Sequence, residues 1–283
     1  MSGSILDAAG VAKAMAHGAI VWDVRPTDKY YDGHIPGAVS VGDATLVLVD
    51  EHTQRLAPVA DIARVLGDAG LDLKGEIVVY GRIASPNAYF AEWVLDYFGA
   101  RKVDVFHDGF EGWKAAGRPI STDPVKRKHV RIRPFANPSM LATMGEVISR
   151  EKSPVVQFVD VRRFGEYNGD ESETQRSGHI PGAVHIPYNL ALVDPEAPMK
   201  LMSANREESE ARELHAGMHL KPAAELRKVY GGLDPKKETI VYCQVGARAA
   251  MTAALLNKLG FKSIRVYFPG WIEYGNNPDA PIE

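Results

Sequence analysis

The heptapeptide GHIPGAV occupies residues 33–39 and recurs without change at residues 178–184. An identical run of seven residues within one chain indicates an internal duplication, and a duplication decides how the rest of the sequence is interpreted. Ahead of each copy, a short apolar run ends in the tripeptide Asp-Val-Arg, at residues 23–25 and 160–162. We therefore expect the two halves of the chain to form the same domain.

Both halves also repeat one alternation of helical and extended patterns. The predicted pairs are helices over 7–17 and 139–150, strands over 19–24 and 155–161, helices over 59–69 and 223–230, strands over 77–80 and 239–242, helices over 87–98 and 248–259, and strands over 103–106 and 264–268. The strands lack a polar alternation, which favours a mainly parallel sheet with helices on both faces. The predicted fold class is α/β, as two tandem domains.

The domain boundaries follow from the repeat and from a change in composition between its copies. We predict domains at residues 1–122 and 138–283, joined by an extended, proline-containing and basic linker over 123–137. The second copy is longer because it carries two insertions, one over 168–177 and one near 195–219.

The composition is that of an ordinary globular protein. Hydrophobic residues make up 45% of the chain, charged residues 24%, and the formal net charge is −3, so nothing indicates a nucleic-acid or membrane partner. No apolar run reaches the roughly eighteen residues of a membrane span, and the N-terminal sequence lacks the pattern of a secretory signal. A single cysteine excludes an intramolecular disulfide and favours a reducing compartment, so we expect a soluble cytoplasmic protein.

That cysteine, Cys243, lies in the stretch VYCQVGARAAM over residues 241–251. An apolar strand precedes it and a helical pattern follows, so the predicted local structure is a strand, a tight loop and a helix. Backbone N–H groups that curl around the sulfur at a helix N-terminus would stabilise a thiolate, and Arg248 adds a fixed positive charge. Taken alone, however, a lone cysteine is more often a buried core thiol.

The corresponding loop of the first copy decides between these two interpretations. Aligned on the tyrosines that end the two strands, three pairs differ: Gly81 stands against Cys243, Ala84 against Gly246, and Pro86 against Arg248. The first copy thus lacks the thiol, a residue suited to an unusual backbone angle, and the cation. Since the scaffold is repeated without these three features, we predict that they serve chemistry in the second copy and that the first copy is catalytically silent.

The motifs together resemble the rhodanese family, and the duplicated form resembles the tandem-domain thiosulfate and 3-mercaptopyruvate sulfurtransferases. They are the Asp-x-Arg after the first strand, the GHIPGAV segment, and the Cys-x-x-Gly-x-Arg of residues 243–248. The resemblance covers essentially the whole chain. It implies an α/β three-layer sandwich in each half, with a silent first domain beside a catalytic second domain.

The resemblance also implies a reaction. Cys243 would take a sulfane sulfur from a small anionic donor such as thiosulfate and pass it, as a persulfide, to a thiophilic acceptor such as cyanide or a thiol, in a ping-pong sequence. The predicted loop residues that bind the substrate are Gln244, Val245, Gly246, Ala247 and Arg248. No metal and no organic cofactor is required. The four residues between cysteine and arginine favour sulfur transfer over phosphoryl transfer, since the related phosphatases have one more.

Two alternatives stay open. Relatives that prefer 3-mercaptopyruvate have Gly-Ser-Gly after the cysteine, so the Gln-Val-Gly found here favours thiosulfate. Thiosulfate enzymes, however, often carry basic residues where this chain has the neutral Gln244 and Val245, and some place an arginine near the position of Glu166. The second alternative is a sulfur-relay protein that hands its persulfide to an acceptor protein, which the long acidic second insertion favours.

Four further residues of the second domain are predicted to support the site. Asp160, Arg162 and His179 all recur in the first copy, which favours a bracing or structural hydrogen-bonding role over direct chemistry. Arg176, in the first insertion, is a candidate for a second anion contact at the rim. The alternative for Arg176 is a solvated loop charge.

Overall fold

The computed structural model describes residues 3–205 and 212–283. Two compact units divide the chain, the first ending at Asn137 and the second beginning at Pro138. The second insertion, predicted near 195–219, is therefore described except for residues 206–211. None of the helices in the described ranges is long and apolar enough to cross a lipid bilayer.

A parallel sheet of five strands forms the centre of the described part of the first unit. Its strands are β1 (Ile5–Leu6), β2 (Ile20–Asp23), β3 (Val39–Ser40), β4 (Glu76–Tyr80) and β5 (Lys102–Phe106), in the spatial order β1-β5-β4-β2-β3. The accompanying helices are Ala8–Ala16, Thr27–Asp32, Ala44–Leu48, Val59–Asp68, Pro86–Tyr97 and Gly109–Ala115. Asp7 caps the N-terminus of the first of them, since its carboxylate accepts the Gly10 N–H at 2.7 Å.

The second unit repeats this topology in its described residues. Its strands are β6 (Leu141–Ala142), β7 (Val156–Asp160), β8 (Val184–His185), β9 (Glu238–Tyr242) and β10 (Ile264–Tyr267), in the order β6-β10-β9-β7-β8. The helices are Met144–Arg150, Phe164–Asn168, Ala197–Ser203, Arg212–Gly217, Ala223–Val229, Ala247–Lys258 and Trp271–Tyr274, with 3-10 turns at Pro138–Met140 and Tyr188–Ala191. The two sheets confirm the predicted α/β class and its duplication.

The sheet register places the carboxyl ends of the central strands together. Asp160, the last residue of β7, lies opposite Tyr242, the last residue of β9. In a parallel sheet the loops that leave these ends share one edge, which is where α/β proteins place their sites. The predicted loop of Cys243 starts at this edge, directly after Tyr242.

A continuous apolar core holds β9 in place. Tyr242 is fully buried, and the strand lies between β7 and β10 with apolar side chains on both faces. The buried core residues of the second unit are Ala142, Val147, Val156, Phe158, Ile180, Ala183, Ile240, Tyr242, Tyr267, Trp271, Tyr274 and Ala280. Because the strand cannot shift without disturbing this packing, the start of the loop is fixed in space.

Residues 123–137, which the sequence predicts as a linker, make backbone hydrogen bonds to the first unit. The Val130 N–H donates to the Gly67 carbonyl at 3.0 Å and the Phe135 N–H to the Phe98 carbonyl at 3.2 Å. The segment has no helix or strand and lies against that unit, and its role as a linker stays a prediction.

Candidate active site

The loop after β9 folds back on its own sulfur. Cys243 is 1% exposed, and its Sγ accepts the Gly246 N–H at 3.0 Å. Gly246 has a φ of +93° and immediately precedes the helix Ala247–Lys258. The sulfur therefore lies at the N-terminus of a three-turn helix, where an N–H donor and the helix dipole both favour a negative charge.

Glycine is required at position 246 for two reasons. The positive φ is strained for any residue with a Cβ. In addition, a Cβ built there would lie 2.3 Å from Cδ2 of Phe268, far inside van der Waals contact. The sequence predicts the unusual backbone angle, while the packing of Phe268 against this glycine appears only in the structure.

The segment that follows β10 supports the loop from behind. The Trp271 N–H donates to the Cys243 carbonyl at 2.9 Å, and the Ile272 N–H donates to the Gln244 carbonyl at 3.1 Å. A Cβ on Gly270 would lie 2.4 Å from the Cys243 carbonyl oxygen, so that glycine permits the close approach. With two of the loop carbonyls bonded to this segment, the loop conformation is set by neighbours on both sides.

Arg248 forms a two-pronged ion pair with Glu166. Its Nη1 and Nη2 donate to Oε2 and Oε1 of Glu166, each at 2.7 Å. The side chains are 19% and 11% exposed, respectively. Burial alone would raise the pKa of Glu166, but the hydrogen bonds and positive charge of Arg248 outweigh it and lower that pKa to about 2. Glu166 is therefore an anion throughout the physiological range, and the loop cation is already paired.

Arg163 extends this pair into a chain of alternating charges. Its backbone N–H donates to Glu166 Oε2 at 3.0 Å, so the glutamate caps the helix Phe164–Asn168. Its side-chain Nε lies 3.2 Å from Glu166 Oε2, and its Nη2 lies 2.6 Å from Glu171 Oε2. The order of charges is Arg248, Glu166, Arg163, Glu171, and their sum is zero.

Tyr188 closes the other side of Arg248. The guanidinium carbon lies 5.9 Å from the centre of the Tyr188 ring. Burial raises the pKa of Tyr188, and its hydroxyl lies within electrostatic reach of Arg248, Arg163, Glu166 and Cys243. Neither Tyr188 nor Arg163 is predicted by the sequence, since no motif marks them and both come close to the loop only through the fold.

The remaining loop residues differ in exposure. Gln244 is 8% exposed, and its side-chain Nε2 lies 3.5 Å from Oε2 of Glu173 in the first insertion. Val245 is 38% exposed and presents an apolar surface beside the sulfur. Ala247 and Arg248 form the first turn of the helix. The predicted loop residues are thus contiguous around Cys243, and their roles in substrate binding stay predictions.

Asp160 and Arg162 form a buried brace at the end of β7. Nη2 of Arg162 lies 2.6 Å from Asp160 Oδ2 and donates to the Gly178 carbonyl at 2.7 Å. The guanidinium also stacks 4.2 Å from the centre of the Trp271 ring. The pair therefore joins the strand end to the GHIPGAV segment and to the segment behind the loop.

The first unit contains the same brace without the cysteine. Arg25 pairs with Asp23 at 2.6 Å, donates to the Gly33 carbonyl at 2.7 Å and stacks 4.2 Å from the Phe110 ring. Because the first copy has this geometry without a cysteine, the brace does not depend on the thiol.

His179 and Arg176 make their contacts with residues outside the Cys243 loop. The His179 ring stacks 3.8 Å from the ring of Tyr167, and its Nδ1 is 3.1 Å from the Tyr167 carbonyl. Nη1 of Arg176 donates to three carbonyl groups near the C-terminus, those of Asn277, Pro278 and Ala280, at 2.8, 3.2 and 2.7 Å. The structure thus gives Arg176 a carbonyl-binding position, different from the rim contact that the sequence suggests.

The loop of the first unit has a positive φ at the position that matches Gly246, but it lacks the cysteine. Ala84, which stands against Gly246, has a φ of +53° despite its Cβ. A Cβ added to Gly81, at the position of Cys243, would lie 2.9 Å from Cβ of Ser85. The unusual backbone angle is therefore retained in the first unit, and the place of the nucleophile is filled by a serine side chain.

Comparison with known families agrees with this geometry. The Rhodanese-like domain matches residues 7–116 and again residues 143–277. The chain belongs to the rhodanese family. Both halves are recognised, which confirms the duplication that the repeated heptapeptide predicts.

Named rhodanese relatives align over most of the chain. It is 32% identical over 266 residues to the thiosulfate sulfurtransferase of Corynebacterium glutamicum, covering 89% of this chain and 81% of the relative. It is 25% identical over 273 residues to the thiosulfate sulfurtransferase of Azotobacter vinelandii, covering 96% and 93%. Among solved structures, EanB with a cysteine persulfide and ergothioneine superposes with a TM-score of 0.82 at 22% identity, covering 99% of this chain and 70% of that one.

These findings assign a sulfurtransferase of the rhodanese type. The chemistry of the site fits that class, because a nearly buried sulfur with an N–H donor and a helix N-terminus is suited to a thiolate nucleophile. Among the described residues, no group of three or more histidine, cysteine, aspartate or glutamate side chains is arranged to hold a metal ion.

Proposed function

We propose that this rhodanese transfers the sulfane sulfur of thiosulfate to cyanide or a small thiol through a persulfide on Cys243. The observation that carries the proposal is the 3.0 Å contact from the Gly246 N–H to the cysteine sulfur at the start of a helix. The two relatives named thiosulfate sulfurtransferase support the choice of donor.

In the first step, the Cys243 thiolate attacks the outer sulfur of thiosulfate. A bond forms between Sγ and that sulfur, the sulfur–sulfur bond of thiosulfate breaks, and sulfite leaves with the electron pair. In the second step, cyanide attacks the outer sulfur of the persulfide. A carbon–sulfur bond forms, the persulfide bond breaks, and the thiolate is regenerated as thiocyanate leaves. Each product departs before the next reactant binds, so the kinetics are ping-pong.

Three features of the site act together in this reaction: the Gly246 N–H, the helix N-terminus and the closed loop. The donor and the dipole stabilise negative charge on Sγ before attack and on the persulfide afterwards. The bonds from Trp271 and Ile272 to the loop carbonyls hold this arrangement in place before the substrate arrives. Thus little reorganisation of the protein accompanies the reaction.

A steady-state assay of thiocyanate formation from thiosulfate and cyanide tests the proposal. We expect thiocyanate formation whose double-reciprocal plots give parallel lines, as ping-pong kinetics require. The Cys243→Ala variant should form no thiocyanate. After incubation with thiosulfate alone, the intact mass should rise by one sulfur atom in the unaltered protein only. Turnover with 3-mercaptopyruvate and none with thiosulfate would instead assign the alternative donor.

A protein thiol is the second candidate acceptor. Apolar side chains lie exposed on the loop and on nearby elements: Val245 of the loop is 38% exposed, Phe164 66% and Met199 41%. Such side chains suit contact with another protein more than with cyanide. A purified thiol protein that accepts radioactive sulfane sulfur from the Cys243 persulfide much faster than glutathione does would support a sulfur-relay role.

A further inference from the structure

The proposed reaction does not explain why Arg248, the cation of the loop, is paired with Glu166. A free positive charge would favour the binding of a dianionic donor, yet both Nη atoms of Arg248 are bonded to Glu166 at 2.7 Å. A guanidinium in a two-pronged pair cannot offer the same two N–H groups to a second anion without losing the first.

Glu166 is also unable to swing away at low cost. Its Oε2 accepts the Arg163 N–H at 3.0 Å in addition to Arg248, and the Arg163 Nε lies 3.2 Å away. The carboxylate is 11% exposed, so a rotated side chain would have to replace these bonds with water. The pair is a fixed part of the site.

The neighbouring cation does not substitute for Arg248. Nη2 of Arg163 lies 2.6 Å from Glu171, and Nε faces Glu166. The four groups therefore alternate in sign and cancel. The four charges sum to zero, so the pairing with Glu166 offsets much of the net positive charge that Arg248 alone would place near the sulfur.

We infer that Glu166 determines donor specificity: by neutralising Arg248, it weakens the binding of dianionic donors relative to donors of lower charge. This inference rests on the proposed function, since it concerns the sulfur donor of the same site. Glu166 acts through Arg248 and is a positioning residue for the loop cation. The expected consequence is a thiosulfate sulfurtransferase whose affinity for thiosulfate is held below what its arginine would otherwise allow.

The charge dependence gives the inference a quantitative form. Removing one negative charge at a fixed distance changes the interaction energy in proportion to the charge of the ligand. A dianion such as thiosulfate should therefore gain about twice as much, on a logarithmic scale, as a monoanion such as 3-mercaptopyruvate. The gain should shrink as ionic strength rises, because salt screens the attraction between Arg248 and the ligand anion.

The experiment measures affinity without turnover. In a Cys243→Ser background, Glu166→Gln should tighten thiosulfate binding by at least about tenfold at low ionic strength, measured by calorimetry, and 3-mercaptopyruvate binding by a smaller factor. Glu166→Ala, also neutral but of different shape, should show the same order of effects. Agreement between the two variants separates the charge from any local change in packing.

Glu171→Gln is the matched control. It removes one negative charge from the same chain of ion pairs, but Glu171 contacts Arg163 and is 55% exposed. Its effect on thiosulfate affinity should stay below about threefold. Equal affinities for the Glu166 and Glu171 variants, or an equal gain for the monoanion and the dianion, would overturn the inference.

Failure of the proposed function would look different. It would appear as no thiocyanate formation by the protein that retains Cys243, whereas failure of this inference would appear as unchanged affinity in the Cys243→Ser background. Thiosulfate affinity in the Cys243→Ser background measures the effect of the Glu166 charge whether or not the protein turns thiosulfate over.

Discussion

Gly246 is the residue on which the shape of the loop depends. Its φ of +93° and the 2.3 Å that would separate an added Cβ from Phe268 leave no room for a side chain. Since its N–H is the donor to Sγ, any shift at this position moves the hydrogen bond that favours the thiolate. The conformation of the loop and the stabilisation of the thiolate therefore both depend on the backbone N–H of Gly246.

Gly246→Ala should therefore impair both stability and catalysis. The left-handed angle alone costs about 1–2 kcal/mol for a residue with a Cβ, and the contact with Phe268 adds to it. We expect a lower melting temperature and a fall of at least about tenfold in kcat/KM for thiosulfate. Ala84→Gly, at the matching position of the first unit, should leave kcat/KM unchanged. Full activity in the Gly246 variant would contradict this account.

The Glu166–Arg248 pair predicts a specific dependence of stability on pH. Arg248 holds the pKa of Glu166 at about 2, below the ordinary value of 4.5. A carboxylate with a lowered folded-state pKa contributes stability that is complete above 4.5 and is lost as the pH falls towards 2. Chemical unfolding at several pH values between about 2 and 6 should show a flatter profile for Glu166→Gln. Identical profiles would mean that the pair does not stabilise the fold.

The sequence predicts the reactive loop well and its electrostatics poorly. Cys243, Gly246 and Arg248 stand out because they are close in sequence and missing together from the first copy. Glu166 lies 82 residues from Arg248, and a glutamate near the start of a helix is equally well explained by capping alone. A pairing across such a distance becomes visible only once the sheet brings both helices to one edge.

At the scale of elements, the segment after β10 is the support on which the loop rests. Trp271 and Ile272 bond the loop carbonyls, and Trp271 also stacks on Arg162. The indole N–H donates to Oγ1 of Thr174 at 3.0 Å, so the first insertion is tied to the same segment. The insertion thus has a structural role that its polar, loop-like sequence does not reveal.

Arg176→Gln should loosen this support. The guanidinium holds the carbonyls of residues 277, 278 and 280, and a glutamine cannot span all three. We expect faster hydrogen exchange in the C-terminal segment and about twofold to tenfold lower kcat, with the KM for thiosulfate little changed. A raised KM with normal kcat would instead support the rim role that the sequence suggests for Arg176.

The shortest strands cannot be predicted from sequence patterns. The strands β1 and β6 have two residues each, Ile5–Leu6 and Leu141–Ala142, which is too short to show a period. Both are fixed by pairing with the last long strand of their sheets. The longer helices and strands, by contrast, agree with their predicted ranges to within a few residues, except that the helix predicted over 139–150 spans only Met144–Arg150.

At the scale of the whole molecule, the duplication organises the chain as two units with one topology. The hydrogen bonds of residues 123–137 show which unit this segment belongs to. The Asp123 carbonyl is 3.1 Å from Nε2 of His34, and the Val125 N–H donates to the Tyr30 hydroxyl at 3.0 Å, both within the first unit. The segment therefore adds bonds to the unit that precedes it.

A first unit produced as residues 1–137 should be more stable than one produced as residues 1–122. The shorter form loses these bonds and the backbone bonds of Val130 and Phe135, so its unfolding midpoint in denaturant should be lower. Circular dichroism of the two forms measures the difference. Equal midpoints would show that the segment behaves as a free linker.

The position of Ser85 bears on how the first unit could be given a reactive sulfur. Its loop already has the required backbone turn at Ala84, so the path is conserved in shape. However, a Cβ added at Gly81 would lie 2.9 Å from Cβ and 3.0 Å from Oγ of Ser85, whose counterpart in the second unit is Ala247. A new nucleophile at residue 81 and a new cation at residue 86 would therefore not suffice, because residue 85 would also have to move away from residue 81. For an engineer, a reactive sulfur in the first unit is thus a problem of backbone spacing at residues 81 and 85 as well as of side-chain chemistry.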